Sequence, residues 1–301
     1  MFNNKKTIVV GVSGGSDSMA LLDILQKKDK YKIIANHINY HFRTDSNYDE
    51  EVVKDYCNKN DIKLEILSVN DELYQNYNYL KNKQSIAREI RYDFYLRNAD
   101  KYQASSLYLA HHKDDFIETA IMQESRSNSL FFYGISEKSY YKGLKIKRPL
   151  INKYKEELIA YCSNNNITFA IDSTNSQPIY ERNRIRIELS KRTKIQKEKI
   201  YDYYKKINDS NEIKRKKIEN LFQTWEKKIY NYTFLLKQKE ELRKHLLYRF
   251  LINNDYFIKI STNKLEGLDD FLIKGSKDKS YRLTENLYLT IENDVLVIKE
   301  K

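Results

Sequence analysis

Residues 7–18 read TIVVGVSGGSDS, and this stretch decides the fold. Its first half, Thr7–Val12, is rich in β-branched residues, as buried strands are. Apolar residues then recur at helical spacing over Ser18–Lys27. The stretch therefore predicts a strand, a tight loop and a helix in direct succession.

The loop in this stretch, Gly11–Ser18, predicts an anion-binding site. Its glycines free backbone N–H groups at the positive end of the helix dipole, where phosphate groups bind. A Walker A loop would carry a lysine after its last glycine. None follows Gly15, so the loop suits pyrophosphate better than phosphoryl transfer. Asp17 would offer a carboxylate to Mg²⁺, and a plain Gly-Ser turn is the alternative interpretation.

Strand and helix patterns alternate as far as residue 124. Strands are predicted at Tyr31–Ile38, Lys63–Val69 and Leu107–His111, and helices at Tyr48–Lys59, Lys83–Tyr102 and Asp114–Glu124. This alternation predicts an α/β fold, with a parallel, doubly wound sheet covered by helices on both faces. Ligands bind such sheets at the carboxyl ends of the strands.

The rest of the chain is predicted to be mainly helical, after a loop or partly ordered lid at 126–143. A helix at Lys153–Asn164, a strand at Ile167–Ile171 and a basic helix at Arg182–Lys191 lead into a helical pattern that ends near residue 253. Short strands follow at Tyr281–Leu283, Leu287–Ile291 and Val295–Ile298. We expect a catalytic domain at 1–195, a basic helical connector at 196–250 and a small C-terminal α+β domain at 251–301.

The chain is strongly basic. Its 301 residues include 54 Lys and Arg against 42 Asp and Glu, a net charge of +12. This charge favours a polyanionic partner, above all nucleic acid, although a general enrichment in Lys, Asn, Ile and Tyr accounts for part of it. No apolar run reaches the ~18 residues of a membrane span. Cys57 and Cys162 form no C-x-x-C pair, and no cleaved leader is expected, so the chain is predicted to be cytoplasmic.

A second group of functional side chains is predicted in AHHKDDFIET, residues 110–119. Asp115 and Glu118 are spaced i, i+3 and share a helix face, so together they can hold a cationic amine. Capping of the helix N-terminus is the alternative for these carboxylates. A zinc site from His111, His112 and Asp114 lacks the usual ligand spacing.

Two groups of arginines are candidates for phosphate contacts. They are Arg88 with Arg91, and Arg182 with Arg184 and Arg186. Guanidinium groups suit phosphate because their forked donors match its oxygens. Solvated helix faces are the alternative, and the pattern leaves open whether ATP or RNA is the partner.

The S-G-G-x-D-S element at 13–18 resembles the loop of the N-type ATP pyrophosphatases, the PP-loop superfamily. These enzymes cleave ATP to AMP and pyrophosphate while adenylylating a carbonyl-type oxygen. The resemblance implies a fold similar to that of the adenine nucleotide alpha hydrolases. The implied ATP-binding residues are Ser13, Gly14, Gly15, Ser16, Asp17 and Ser18.

Further elements resemble the tRNA(Ile)-lysidine synthetase family, and the resemblance covers residues 5–190. They are His111–Thr119, Ala87–Tyr92, Asn36 and His37 with Arg43, and Asp172 and Asn175 with Arg182, Asn183 and Arg186. The family implies that ATP adenylylates the C2 oxygen of the wobble cytidine in a tRNA(Ile) with a CAU anticodon. The ε-amine of free L-lysine then displaces AMP.

The same resemblance implies roles for individual residues. Asp17 would hold Mg²⁺, Asp115 and Glu118 would receive the lysine, and His111 would help to orient the activated base. The basic helices and C-terminal strands resemble a shortened tRNA-binding tail. The oligomeric state stays open, with a homodimer as one option.

Some positions depart from the family pattern. Phe116 stands where many members have glutamine, and Arg126–Ser129 replaces a glycine-rich run. The aromatic residues that follow, Phe131–Tyr133, could stack on a flipped-out base or form local core.

Three alternatives to this function stay open. A tRNA thiolase also adenylylates a base, but it needs persulfide or cluster-binding cysteines that Cys57 and Cys162 do not match. NAD and GMP synthetases share the loop but have no need of a basic tail. An RNA-binding protein without activity would not need the loop, the carboxylate pair and the arginines together.

Overall fold

The structure, a computed structural model, describes residues 5–42, 46–77, 83–126, 132–170, 181–253, 260–274 and 280–300. The chain forms two compact units. The first comprises Met1–Asn128 and Tyr133–Lys205, and the second comprises Ser129–Phe132 and Lys206–Lys301. The three predicted domain ranges stay predictions.

The first unit is built on a six-stranded sheet. Its strands are β1 Lys6–Gly11, β2 Tyr31–Asn39, β3 Lys63–Ser68, β4 Leu107–Tyr108, β5 Lys138–Tyr141 and β6 Leu144–Lys147. They lie in the order β3-β2-β1-β4-β6-β5. Neighbours pair in parallel except β5 and β6, which are antiparallel. The predicted α/β fold with a mainly parallel sheet is confirmed.

The first unit also contains helices, the last of which continues past the boundary of the unit at Lys205. They are α1 Ser16–Lys27, α2 Ser46–Lys59, α3 Asp71–Gln75, α4 Lys83–Lys101, α5 Lys113–Arg126, α6 Lys155–Asn164 and α7 Glu181–Ser190, with α8 at Lys194–Ser210. None of the helices that the structure describes is long and apolar enough to span a bilayer.

The central strand β1 is buried on both faces. Ile8, Val9 and Val10 are all 0% exposed. Ile8 and Val10 lie in a core cluster with Leu21 of α1, whereas Val9 lies in another with Tyr95 of α4. Successive strand residues point to opposite faces. A continuous β-branched run is therefore what a strand covered on both sides requires.

The second unit combines helices with a small sheet. Its elements are α9 Glu212–Lys227, α10 Tyr232–Leu236, α11 Glu240–Asn253, α12 Thr262–Ile273, β7 Tyr281–Arg282, β8 Leu287–Glu292 and β9 Val295–Glu300. The strands form an antiparallel sheet in chain order. The fully buried Trp225 lies in the core, and its indole N–H donates to the carbonyl of Asn231 at 2.8 Å. The helical pattern before residue 253 and the three C-terminal strands are thus confirmed.

Three local predictions are wrong. The strand expected at Leu107–His111 covers only Leu107 and Tyr108, while α12 is an element for which no range was predicted. Residues 138–141, inside the predicted loop, pair with β6 across a turn in which Lys142 and Gly143 have φ of 44° and 78°. A strand was predicted at Ile167–Ile171, but Ala170 makes only a single parallel bridge to Gly15, and Ile171 lies outside the described residues.

Candidate active site

The loop between β1 and α1 contains one glycine that its geometry requires. Gly14 has φ +93°, and a Cβ there would lie 2.8 Å from the backbone oxygen of Asp49. Gly15 is the N-cap of α1 with φ −73°, and a Cβ would meet Ser13 Oγ at an ordinary 3.7 Å. Only glycine adopts the conformation at position 14 without strain. Gly14 therefore sets the path of the loop into α1.

Serine hydroxyl groups hold this loop closed. Ser18 Oγ accepts a hydrogen bond from the N–H of Ser13 at 3.1 Å and donates to the carbonyl of Gly15 at 3.0 Å. Ser16 Oγ donates to Asp17 Oδ1 at 3.3 Å. The N-cap of α1 is Gly15, which has no side chain with which to cap the helix. The first N–H groups of this helix are therefore available to an anion.

His112 links this loop to the start of α5. Its Nε2 lies 3.6 Å from Asp17 Oδ2 and 3.5 Å from Asp115 Oδ2, and its Nδ1 lies 3.4 Å from Asp114 Oδ2. Burial disfavours the charged ring, but the three carboxylates outweigh it and raise the pKa of His112 to about 10. His112 is therefore an imidazolium at neutral pH.

The two carboxylates predicted to share a face of α5 both bind arginines of α7. Glu118, which is 2% exposed, accepts from Arg182 Nε at 2.8 Å and from Arg186 Nε at 2.9 Å. Asp115 accepts from Arg182 at 2.8 Å. Burial raises the pKa of Asp115, but the charges of His112 and Arg182 outweigh it and lower the pKa. These four residues, Asp115, Glu118, Arg182 and Arg186, form what we call the ion cluster.

Asp114 joins α5 to two neighbouring helices. Its Oδ2 accepts the N–H of Lys155 at 3.0 Å, and its Oδ1 accepts from Lys197 Nζ at 3.0 Å. Burial raises the pKa of Asp114, but His112 and these two donors outweigh it and hold the pKa well below its usual range. The carboxylate is therefore ionised and contributes to the packing of α5 against α6 and α8.

An arginine that no sequence pattern indicated fixes the state of His111. Arg148 Nε donates to Nδ1 of His111 at 3.3 Å, and its other end is held at 2.9 Å by the carbonyl of Ser136 and the hydroxyl of Ser139. Burial lowers the pKa of His111 to about 4. The ring is therefore neutral with its proton on Nε2, from which it can donate a hydrogen bond.

Two residues in the second half of β2 bury polar atoms without a partner among the described residues. These atoms are Nδ2 and Oδ1 of Asn36 and Nε2 of His37. Both residues contact the glycine loop, since the carbonyl of Asn36 accepts the N–H of Val12 at 2.9 Å and Nδ1 of His37 lies 2.9 Å from the carbonyl of Val12. Buried amides normally find partners. Asn36 is therefore a candidate for contact with a ligand, a role that the sequence left unspecified.

The remaining predicted arginines lie outside the ion cluster. Arg88 and Arg91 are exposed on α4, and Arg184 is exposed on α7. The guanidinium of Arg88 lies 4.6 Å from the ring centre of Tyr92, and Arg91 Nε donates to the hydroxyl of Tyr40 at 3.4 Å. The structure thus brings together two of the five predicted arginines.

Comparison with known proteins matches residues 2–193 to the PP-loop domain. The tRNA(Ile)-lysidine synthase of Ureaplasma parvum is 38% identical over 98% of this chain and 87% of its own length. The enzyme of Malacoplasma penetrans is 36% identical over 96% of this chain and 97% of its own length. That of Mycoplasma genitalium is 36% identical over 99% of this chain and 99% of its own length. The chain belongs to the tRNA(Ile)-lysidine synthase family.

Membership of the lysidine synthase family confirms the resemblance read from the sequence, and the PP-loop domain confirms the use of ATP. A solved U34-tRNA thiolase from Methanococcus maripaludis, with its [4Fe-4S] cluster, is 18% identical with a TM-score of 0.54. The superposition covers 68% of this chain and 72% of the thiolase chain. At that identity the likeness concerns the fold alone.

The two cysteines of this lysidine synthase family member are buried. Both are 0% exposed, and burial raises the pKa of Cys57 to about 12 and that of Cys162 to about 11. Cys162 Sγ donates to the carbonyl of Ser16 at 3.4 Å. A thiol needs its thiolate form to react. The thiolase alternative therefore has no support from these cysteines.

Two aromatic residues that the sequence analysis singled out are buried, and other predicted residues lie outside the described ranges. Phe116 is buried and meets the ring of Tyr201 at 5.0 Å, and Tyr133 is buried 5.5 Å from the ring of Tyr204. Tyr133 therefore belongs to the local core. Residues outside the described ranges are Arg43, Ser127–Ser129, Phe131, Asp172 and Asn175.

Proposed function

We propose that this chain ligates lysine to C2 of the wobble cytidine of tRNA(Ile) with a CAU anticodon, in the cytoplasm, through an adenylylated base. The observation that carries the proposal is the bridge from the glycine loop to the α5 carboxylates. His112 lies 3.6 Å from Asp17 on one side and 3.5 Å from Asp115 on the other. A nucleotide on the loop and an amine at α5 would therefore react within one site.

In the first step the loop residues Ser13–Ser18 would bind the phosphates of ATP. Free N–H groups of α1 and the loop hydroxyls suit a pyrophosphate that leaves. Asp17 fits Mg²⁺, because this ion takes one or two protein carboxylates together with phosphates and water, and the Asp17 side chain is 26% exposed beside that helix start. The ion would offset the negative charge on the departing pyrophosphate.

Zinc does not fit the same residues. A zinc ion would need lone pairs on histidine nitrogens. Nδ1 of His111 already accepts from Arg148, and among the described residues no group of three or more His, Cys, Asp and Glu side chains could hold a metal ion. The neutral His111 can instead donate from Nε2 to a base oxygen, which supports its assignment as the residue that orients the activated base.

In the second step Asp115 and Glu118 would bind the ε-ammonium of lysine and accept its proton. Both are now paired with Arg182 and Arg186, so the incoming amine would replace guanidinium groups as their partner. Exchange of one cation for another keeps the buried carboxylates paired, which avoids the cost of an unpaired buried charge. The released amine then attacks C2, and AMP departs.

The proposal is tested with purified protein, ATP, Mg²⁺, labelled lysine and a tRNA(Ile) transcript that has a CAU anticodon. We expect lysine to enter the tRNA with one AMP formed for each lysine. A parallel reaction with labelled cysteine controls for thiolation, and Asp17→Asn should lose AMP formation. Incorporation of sulfur, or release of inorganic phosphate instead of pyrophosphate, would overturn the proposal.

A further inference from the structure

The chain leaves β2 through a turn that several contacts hold in place. His41 has φ +53°, which is unusual for a residue other than glycine. Its N–H donates to Oδ1 of Asn39 at 3.0 Å, and its Nε2 lies 2.6 Å from the hydroxyl of Ser68 on β3. A strained conformation persists when its surroundings determine it. This turn determines where the next residue, Phe42, is presented.

Phe42 is an exposed aromatic residue with an organised base beneath it. It is 60% exposed, and its ring stacks on Tyr40 with the centroids 5.3 Å apart and the planes at 22°. The edge of Tyr74 meets it at 6.0 Å and 82°. Tyr40 is fixed in turn, because its hydroxyl donates to the carbonyl of Ala87 at 2.6 Å. The exposed ring of Phe42 therefore rests on a packed aromatic base.

Two exposed cations lie on the helix that supports this aromatic group. Arg91 donates to the hydroxyl of Tyr40 at 3.4 Å, and Arg88 is spaced i, i−3 from it on α4. Their positive charge selects an anionic partner and argues against an apolar peptide or a second apolar surface. An aromatic face beside guanidinium groups is the usual recognition pattern for single-stranded nucleic acid.

The position of this group relates it to the reaction site. Phe42 follows the carboxyl end of β2, and β2 pairs in parallel with β1, whose own carboxyl end leads into the glycine loop. Both features therefore lie at the same edge of the sheet. A tRNA nucleotide next to the wobble base, bound at Phe42, would therefore lie at the same edge of the sheet as ATP bound at the glycine loop.

We propose that Phe42 is a stacking platform for an unpaired base of the tRNA anticodon loop, with Arg88 and Arg91 on the adjoining phosphates. The inference rests on the proposed function for the identity of the RNA. In this inference the group formed by Tyr40, Phe42 and Tyr74 binds an RNA base. Neither the glycine loop nor the ion cluster provides an aromatic ring for that purpose.

The test compares the affinity of four variants for the full CAU tRNA(Ile) transcript. Phe42→Ala should weaken binding roughly tenfold, since stacking on an aromatic side chain contributes about that much per base. Phe42→Trp should restore binding, whereas Phe42→Leu, which keeps apolar volume without a ring, should not. Tyr140→Ala is the control, because Tyr140 is 70% exposed on the edge strand β5 at the other end of the sheet. It should bind as the wild type does.

Salt dependence separates the ring from the charges. Phe42→Ala should leave the slope of log affinity against log salt unchanged, while Arg91→Gln should reduce that slope by about 1. Thermal melts of each variant establish that the fold is retained. Unchanged affinity for Phe42→Ala, or full rescue by Phe42→Leu, would overturn the platform.

The same measurements distinguish this inference from the proposed function. If the wild type incorporates lysine but Phe42→Ala binds tRNA normally, the platform alone is wrong. If the wild type binds tRNA in a Phe42-dependent manner and incorporates no lysine, the platform stands and the reaction assignment is wrong.

Discussion

Replacement of Glu118 by glutamine tests the ion cluster most directly. Glu118→Gln keeps the size of the side chain but removes the charge that holds Arg182 and Arg186. Loss of one partner from a buried ion pair costs about 3–5 kcal/mol. The two arginine side chains are 37% and 33% exposed, and Arg182 keeps Asp115 as a partner. We therefore expect the free energy of unfolding to fall by about 2 kcal/mol.

Urea denaturation at pH 7 measures this loss, with an unchanged dependence on denaturant concentration. The variant should still form AMP but transfer lysine slowly. Glu188→Gln is the matched control, because Glu188 of α7 makes an exposed i, i+4 pair with Arg192, and such a pair contributes about 0.3–0.5 kcal/mol. Equal losses in the two variants would refute the argument that burial makes Glu118 important.

Three further outcomes are expected. Gly14→Ala should lower the melting temperature and abolish nucleotide binding, because position 14 has a positive φ and a backbone oxygen 2.8 Å from the new Cβ. Gly15→Ala has neither feature and should leave the melting temperature nearly unchanged. Equal melting temperatures for the two variants would contradict this. Asp114→Asn should lower the free energy of unfolding at pH 7, because a carboxylate with a depressed pKa stabilises the folded state while it is ionised. The difference from the wild type should shrink as the pH falls below about 3.8, the ordinary pKa of Asp, since the wild-type carboxylate then becomes protonated. A difference that stays constant in acid unfolding would contradict this prediction. Arg148→Met should raise the pKa of His111 in an NMR titration, because the guanidinium disfavours its protonation, and an unmoved titration would exclude that electrostatic effect.

Local sequence was sufficient for the features that depend on neighbours in the chain. The β-branched run Thr7–Val12 and the two glycines after it predicted β1 and the start of α1, because a strand buried on both faces and a tight loop leave distinct patterns. The spacing of Asp115 and Glu118 likewise predicted their common face. The strand at 138–141, which the predicted loop at 126–143 missed, had a readable signal, since Lys142 and Gly143 form a turn with two positive φ angles between the strands of a hairpin.

Long-range partners could not be read in the same way. Arg182 pairs with Glu118 across 64 positions, and Arg148 reaches His111 across 37. No periodicity connects residues so far apart, and a single arginine in a loop looks like any exposed cation. These pairings nevertheless decide which groups are charged at the site. The sequence therefore predicted the positions of these residues better than it predicted their charges and partners.

The burial of both cysteines makes the chain convenient for spectroscopy. Maleimide dyes and nitroxide labels attach to accessible thiolates, and Cys57 and Cys162 offer neither accessibility nor ionisation in the folded state. A new cysteine introduced on an exposed helix would then be the sole point of attachment. Fluorescence or distance measurements on the two units could proceed on the natural sequence without first mutating its own thiols.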